Sequence, residues 1–101
     1  MNFGLSDKTI AEIKKIFAKF PLVEKVIIYG SRAKGNFRSG SDIDLTLFGE
    51  GLNSDILLQI NREFDESFLP YKFDLSIFAQ LENQDFIDHI KRVGIIFYTK
   101  K

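Results

Sequence analysis

Asp42 and Asp44 stand one residue apart in Ser41-Asp42-Ile43-Asp44-Leu45, and of all the pairs in this chain they are best suited to bind a metal. On an extended strand, residues i and i+2 project from the same face, which sets the two carboxylates side by side. Adjacent carboxylates repel each other, and a hard divalent cation relieves the repulsion. A third acid, Asp74 in Phe73-Asp74-Leu75-Ser76, joins them if its strand lies beside theirs. Carboxylate donors in a chain with no cysteine favour Mg²⁺ or Mn²⁺ over zinc.

Just upstream lies Gly30-Ser31-Arg32-Ala33-Lys34-Gly35. A glycine turn between a strand and a helix lets backbone N–H groups approach phosphate oxygens. Ser31 adds a hydroxyl, and Arg32, Lys34 and Arg38 add positive charge. A phosphate cradle followed by metal-binding carboxylates suits phosphoryl transfer, where catalysis is mostly positioning and charge neutralisation. Two better-known phosphate motifs are excluded. Asn36-Phe37 stands where a Walker A loop needs Lys-Ser/Thr, and the G-x-G-x-x-G dinucleotide pattern is missing.

The elements that must position these residues follow from periodicity. Ser6 reads as an N-cap, with Leu5 and Ile10 as a hydrophobic staple. Ile10, Ile13, Phe17 and Phe20 make the buried stripe of a first helix that Pro21 ends. Val23 to Tyr29 reads as a strand. Its unbroken apolar block Val26-Ile27-Ile28-Tyr29 predicts cover on both faces. Asp42 to Phe48 alternates cleanly, with Ile43, Leu45 and Leu47 opposite Asp42, Asp44 and Thr46. Asn53 caps a helix with the stripe Ile56, Leu57, Ile60, Phe64 and Phe68, and Pro70 follows it. Tyr71 to Phe78 alternates again, placing Asp74 and Ser76 on one face. A last helix, capped by Asn83, ends at Gly94 as a C′ residue. Ile95 to Tyr98 is either a fourth strand or an apolar tail. Helices alternating with three to four strands predict one α/β domain over residues 1–101, a mixed sheet with helices packed on one face.

Composition narrows the class further. Fourteen basic residues balance fourteen acidic ones, which argues against a dedicated nucleic-acid binder and leaves room for a small anionic ligand. No apolar run approaches the roughly 20 residues needed to span a membrane, and no signal-peptide pattern opens the chain, so a cytoplasmic protein is expected. Eleven phenylalanines predict a core built of bulky rings and a surface prone to association. The lone His89 reads as a solvent-facing helix residue, and Lys100-Lys101 as a soluble tail.

Gly30-Ser31, ten intervening residues, then Asp42-Ile43-Asp44 resembles the signature of the polymerase-β-like nucleotidyltransferase superfamily. The string GSRAKGNFRSGSDIDL is similar to its smallest branch, the minimal nucleotidyltransferase (MNT) domains. The resemblance implies the nucleotidyltransferase fold and the transfer of a nucleoside monophosphate, AMP from ATP, onto an acceptor. It implies that Gly30 and Ser31 hold the triphosphate, with Arg32, Lys34 and Ser41 as further phosphate contacts. Asp42, Asp44 and Asp74 would then ligate Mg²⁺ or Mn²⁺, Asp74 also helping to deprotonate the acceptor. It further implies a helical HEPN-domain partner in a toxin–antitoxin pair, and so a homo- or hetero-oligomer. The alternative is a non-catalytic antitoxin or nucleotide-binding subunit that acts by contact. A polymerase fragment is disfavoured by the neutral charge.

Overall fold

The computed structural model describes residues 3–38 and 40–100, so Lys101 of the expected tail lies outside the described residues. The elements run α1 (Asp7–Ala18), β1 (Lys25–Tyr29), α2 (Gly30–Lys34), β2 (Ile43–Phe48), α3 (Ser54–Glu66), β3 (Phe73–Ile77), a 3₁₀ turn (Phe78–Gln80), α4 (Gln84–Val93) and β4 (Ile95–Thr99). The caps read from sequence are made. Ser6 Oγ accepts from the Thr9 N–H at 3.1 Å, Asn53 Oδ1 from Ile56 at 2.9 Å, and Asn83 Oδ1 from Phe86 at 3.0 Å.

One mixed sheet has the order β3-β2-β1-β4. β1 is antiparallel to β2 and to β4, whereas β2 and β3 are parallel, joined by a crossover through α3. The apolar face carries buried Val26, Ile28, Ile43, Leu45 and Leu47, packed in one core with Ile13 and Phe17 of α1 and Ile60 and Phe64 of α3. Rings tie these layers together: Phe17 meets Phe64 edge-on at 5.4 Å, and Phe64 lies 4.3 Å from Phe73. The register of β4 slips between Val26 and Ile27. That irregularity lets two successive residues serve the core, with Phe97 against Phe3 and Tyr98 against Phe17.

The two longest helices, α1 and α3, share the apolar face, while α4 lies on the other side of the sheet. There Phe86 packs edge-on against Tyr29, with ring centroids 5.4 Å apart, and Ile90 is buried. The double cover predicted for Val26–Tyr29 therefore comes from α1 and α3 beneath and α4 above. Gly94 has extended backbone (φ −68°, ψ 145°), not the left-handed C′ geometry expected. Close approach explains the glycine, because a β-carbon there would strike the Ile90 carbonyl and the Ile27 side chain. Lys100 is tied down: its N–H donates to Glu24 O at 2.8 Å and its Nζ to Pro21 O at 2.9 Å. Among the described residues no helix is long and apolar enough to cross a membrane.

Candidate active site

The parallel pairing of β2 with β3 sets Asp44 beside Asp74 and Thr46 beside Ser76, and the antiparallel pairing with β1 sets Tyr29 opposite Asp44. All five side chains share the sheet face that α4 only partly covers. Asp42, one residue before β2, and Asp74 on the edge strand are exposed, whereas Asp44 is half-buried. Burial first, then the charges of Asp74 and Asp42, push the Asp44 carboxyl up from 3.8 to about 6. Asp44 thus senses the charges of both other aspartates. Among the described residues, though, no three acidic, histidine or cysteine side chains stand close enough together to hold one ion. The donor set still fits a hard cation in kind: all its donors are carboxylate oxygens, and two of its three members are exposed.

The phosphate-type turn abuts this group. Gly30 begins α2 directly after β1, with φ +76°, a conformation that L side chains rarely adopt. A β-carbon on Gly30 would overlap Asp44 Oδ2, so only glycine lets the backbone of the turn lie against that carboxylate. Ser31 beside it is half-buried, and Lys34 and Arg38 are exposed.

Arg32 and Ser41 have other surroundings. Arg32 is only 1% exposed. Its Nε and Nη2 donate to the Ser41 carbonyl at 3.2 and 3.0 Å, and its Nη1 to the Phe3 carbonyl at 2.9 Å. The guanidinium sits 5.3 Å from the ring centres of both Phe37 and Tyr71. Ser41 Oγ accepts the Arg38 N–H at 2.8 Å. These two residues hold the loop together, whereas the expectation for them is contact with phosphate.

Sequence reasoning missed Tyr29. It is 5% exposed and hydrogen-bonded to Ser76, whose Oγ donates to Thr46 Oγ1 at 2.9 Å. Burial, with the charges of Asp74 and Asp44, pushes its phenol up to about 12 against the opposing hydrogen bond, so it remains neutral. His89, expected in solvent, is half-buried with its ring centre 6.3 Å from that of Tyr29. The period of two already placed Thr46 and Ser76 beside the aspartates. Nothing local marked Tyr29, the last residue of an apolar block. A separate cavity of about 410 Å³ at the far end of β2 and β3, lined by Phe48, Leu52 and Phe78 among others, touches none of the three aspartates.

Comparison with known proteins agrees with this architecture. Residues 11–101 match the family model for polymerase beta nucleotidyltransferases. The probable protein adenylyltransferase MntA of Haemophilus influenzae is 29% identical over 102 residues, spanning 99% of this chain and 88% of that protein. A crystal structure of a toxin–antitoxin with AMP-PNP superposes with a TM-score of 0.71 at 16% identity, over 96% of this chain and 76% of that one. The complex of a tri-AMPylated Shewanella oneidensis HEPN toxin with its MNT antitoxin superposes with a TM-score of 0.62 at 13% identity, over 95% and 74%. Identities this low carry the fold alone.

Proposed function

The chain belongs to the polymerase beta nucleotidyltransferase family, and from that premise we propose that it transfers AMP from ATP onto a hydroxyl of a HEPN-type partner, as the antitoxin of a toxin–antitoxin pair. The observation that carries this reading is the close approach of the Gly30 backbone to the Asp44 carboxylate, which sets the glycine turn beside the aspartate-bearing strands. The choice of AMP and of a protein acceptor draws on the similar Haemophilus adenylyltransferase and on the neighbouring complexes with AMP-PNP and with an AMPylated toxin.

In this reading the Gly30 backbone and the Ser31 hydroxyl hold the triphosphate, and Lys34 adds an exposed positive charge. Asp42, Asp44 and Asp74 would hold Mg²⁺ or Mn²⁺, which when bound neutralises phosphate charge. Asp74, on the open edge of the sheet, takes the proton of the acceptor hydroxyl. The acceptor oxygen then bonds to the α-phosphorus as the bond to the bridging oxygen breaks, and pyrophosphate leaves. The buried Tyr29–Ser76–Thr46 chain keeps the floor of the site rigid.

A second reading, an antitoxin that works by contact alone, draws on the carboxylates standing apart. One experiment separates the two. ATP is titrated calorimetrically with Mg²⁺ into wild type and Asp42→Ala/Asp44→Ala, and labelled ATP is then offered with the copurified partner. Metal-dependent binding and labelling lost in the variant support transfer. A double variant that still neutralises its partner favours contact.

A further inference from the structure

We propose that Arg32 is a positioning residue that fixes the distance between the phosphate turn and the carboxylates; this rests on the functional reading above. Arg32 lies two residues after Gly30, and the carbonyl it grips belongs to Ser41, the residue immediately before Asp42. Two donors of one planar group on one oxygen restrain direction as well as distance. The contact bridges the stretch from Gly35 to Ser41, which forms no regular helix or strand where it is described. Short-range bonds also shape it, such as Asn36 N–H to Ser31 O at 3.2 Å and Ser41 N–H to Arg38 O at 3.0 Å.

The same guanidinium reaches every other segment that carries the site. Tyr71, whose ring the guanidinium lies over, leads directly into β3 and Asp74. Lys72, the next residue, gives its carbonyl to the Ile43 N–H at 2.9 Å, joining the lead-ins of β2 and β3. Phe37, whose ring the guanidinium also lies over, belongs to the loop, and the Phe3 carbonyl ties in the N-terminal segment. A permanently charged group is costly to bury, and an apolar side chain could pack against both rings. What only a guanidinium supplies here is a set of fixed directions toward three sequence-distant segments. A small misplacement of reacting groups costs about a hundredfold in rate, so a residue that touches no ligand can still set the chemistry.

Arg32→Lys keeps the charge and the apolar stem but lacks the fork, and Arg32→Met removes the charge. Each is compared with wild type by amide hydrogen exchange and by ATP titration with and without Mg²⁺. Exchange at Arg38, Ser41 and Ile43 should quicken by about tenfold in both variants, with Leu45 and Leu47 unchanged. The gain in ATP affinity that Mg²⁺ confers should fall about tenfold, while affinity without metal stays within about twofold. Unchanged exchange in Arg32→Lys overturns the proposal. Faster exchange with the full Mg²⁺ gain also overturns it and leaves Arg32 a structural residue. Metal-free affinity lost in Arg32→Met but kept in Arg32→Lys makes Arg32 a phosphate contact instead. A wild type that gains nothing from Mg²⁺ overturns the functional reading and this proposal with it, whatever the exchange rates. If neither Arg32 variant folds, Tyr71→Leu, which removes one of the two rings and leaves Arg32 in place, carries the same expectations.

Discussion

Replacing Asp44 with asparagine should stabilise the protein at neutral pH while weakening the proposed Mg²⁺-dependent binding of ATP. The folded state raises this carboxyl from 3.8 to about 6, so folding favours the protonated form. Between those values the native state binds more protons than the unfolded state, and stability falls as pH rises. Above about pH 6 the full penalty is present; below about pH 4 most of it is gone. The rise corresponds to about 3 kcal/mol at 1.36 kcal/mol per pH unit. Asp44 is only half-buried, and solvent screening reduces the expected gain to about 1 kcal/mol. For a domain this size that is a rise in Tm of about 4–8 °C. Thermal unfolding of wild type and Asp44→Asn at pH 7.5 and pH 4, without divalent ions, reads it directly. The gap should be clear at pH 7.5 and small at pH 4, and Mg²⁺ should narrow it by stabilising wild type alone. A variant less stable at pH 7.5, or equally stabilised at both pH values, refutes the reasoning.

Two further perturbations probe the neighbourhood and the surface. Gly30→Ala places a β-carbon on a left-handed residue, costing about 1–2 kcal/mol, and displaces the Asp44 carboxylate. Its urea midpoint should fall and its Mg²⁺-dependent ATP binding disappear; wild-type affinity would count against the site. Phe68 is fully exposed just past the end of α3, so Phe68→Ser should alter stability by no more than about 0.5 kcal/mol. Light scattering should show less self-association in that variant, and no change would mean that Phe68 does not drive it.

Most of the frame was legible because it rests on local rules. Three side-chain caps, the stripe of α1 and that of α3 as far as Phe64 follow from residue type and spacing alone, as does the alternation in β2 and β3; Phe68, expected in the buried stripe of α3, instead lies beyond the end of the helix and is fully exposed. The pairing of Asp44 with Asp74 was conditional, because no periodicity reveals which strands are neighbours or whether they run parallel. The ends of the strands were overextended for physical reasons. Val23 is buried but its N–H turns back to the Phe20 carbonyl, and the Tyr71 ring lies under Arg32 before β3 begins at Phe73. Arg32 itself was illegible. An arginine beside a glycine turn reads as a phosphate ligand until Phe3, Phe37, Ser41 and Tyr71 are known to surround it. Tyr29 was hidden in the same way, since a tyrosine ending an apolar strand reads as core. Of the phenylalanines, Phe17, Phe64 and Phe97 are buried and Phe68 is fully outside, while the others are half-buried.

The parallel union of β2 with β3, and the late arrival of β4, impose an order on synthesis. The phosphate turn, Asp42 and Asp44 leave the ribosome early, when β2 has only β1 to pair with and its outer edge stands open. Asp74 comes after the α3 crossover, and the central strand β1 gains its second neighbour only when Thr99 can pair with Lys25. Until then Phe97 and Tyr98 are missing from the core, and an unpaired strand edge is a template for the wrong partner. A nascent chain is therefore most vulnerable to misassembly until β4 has been made.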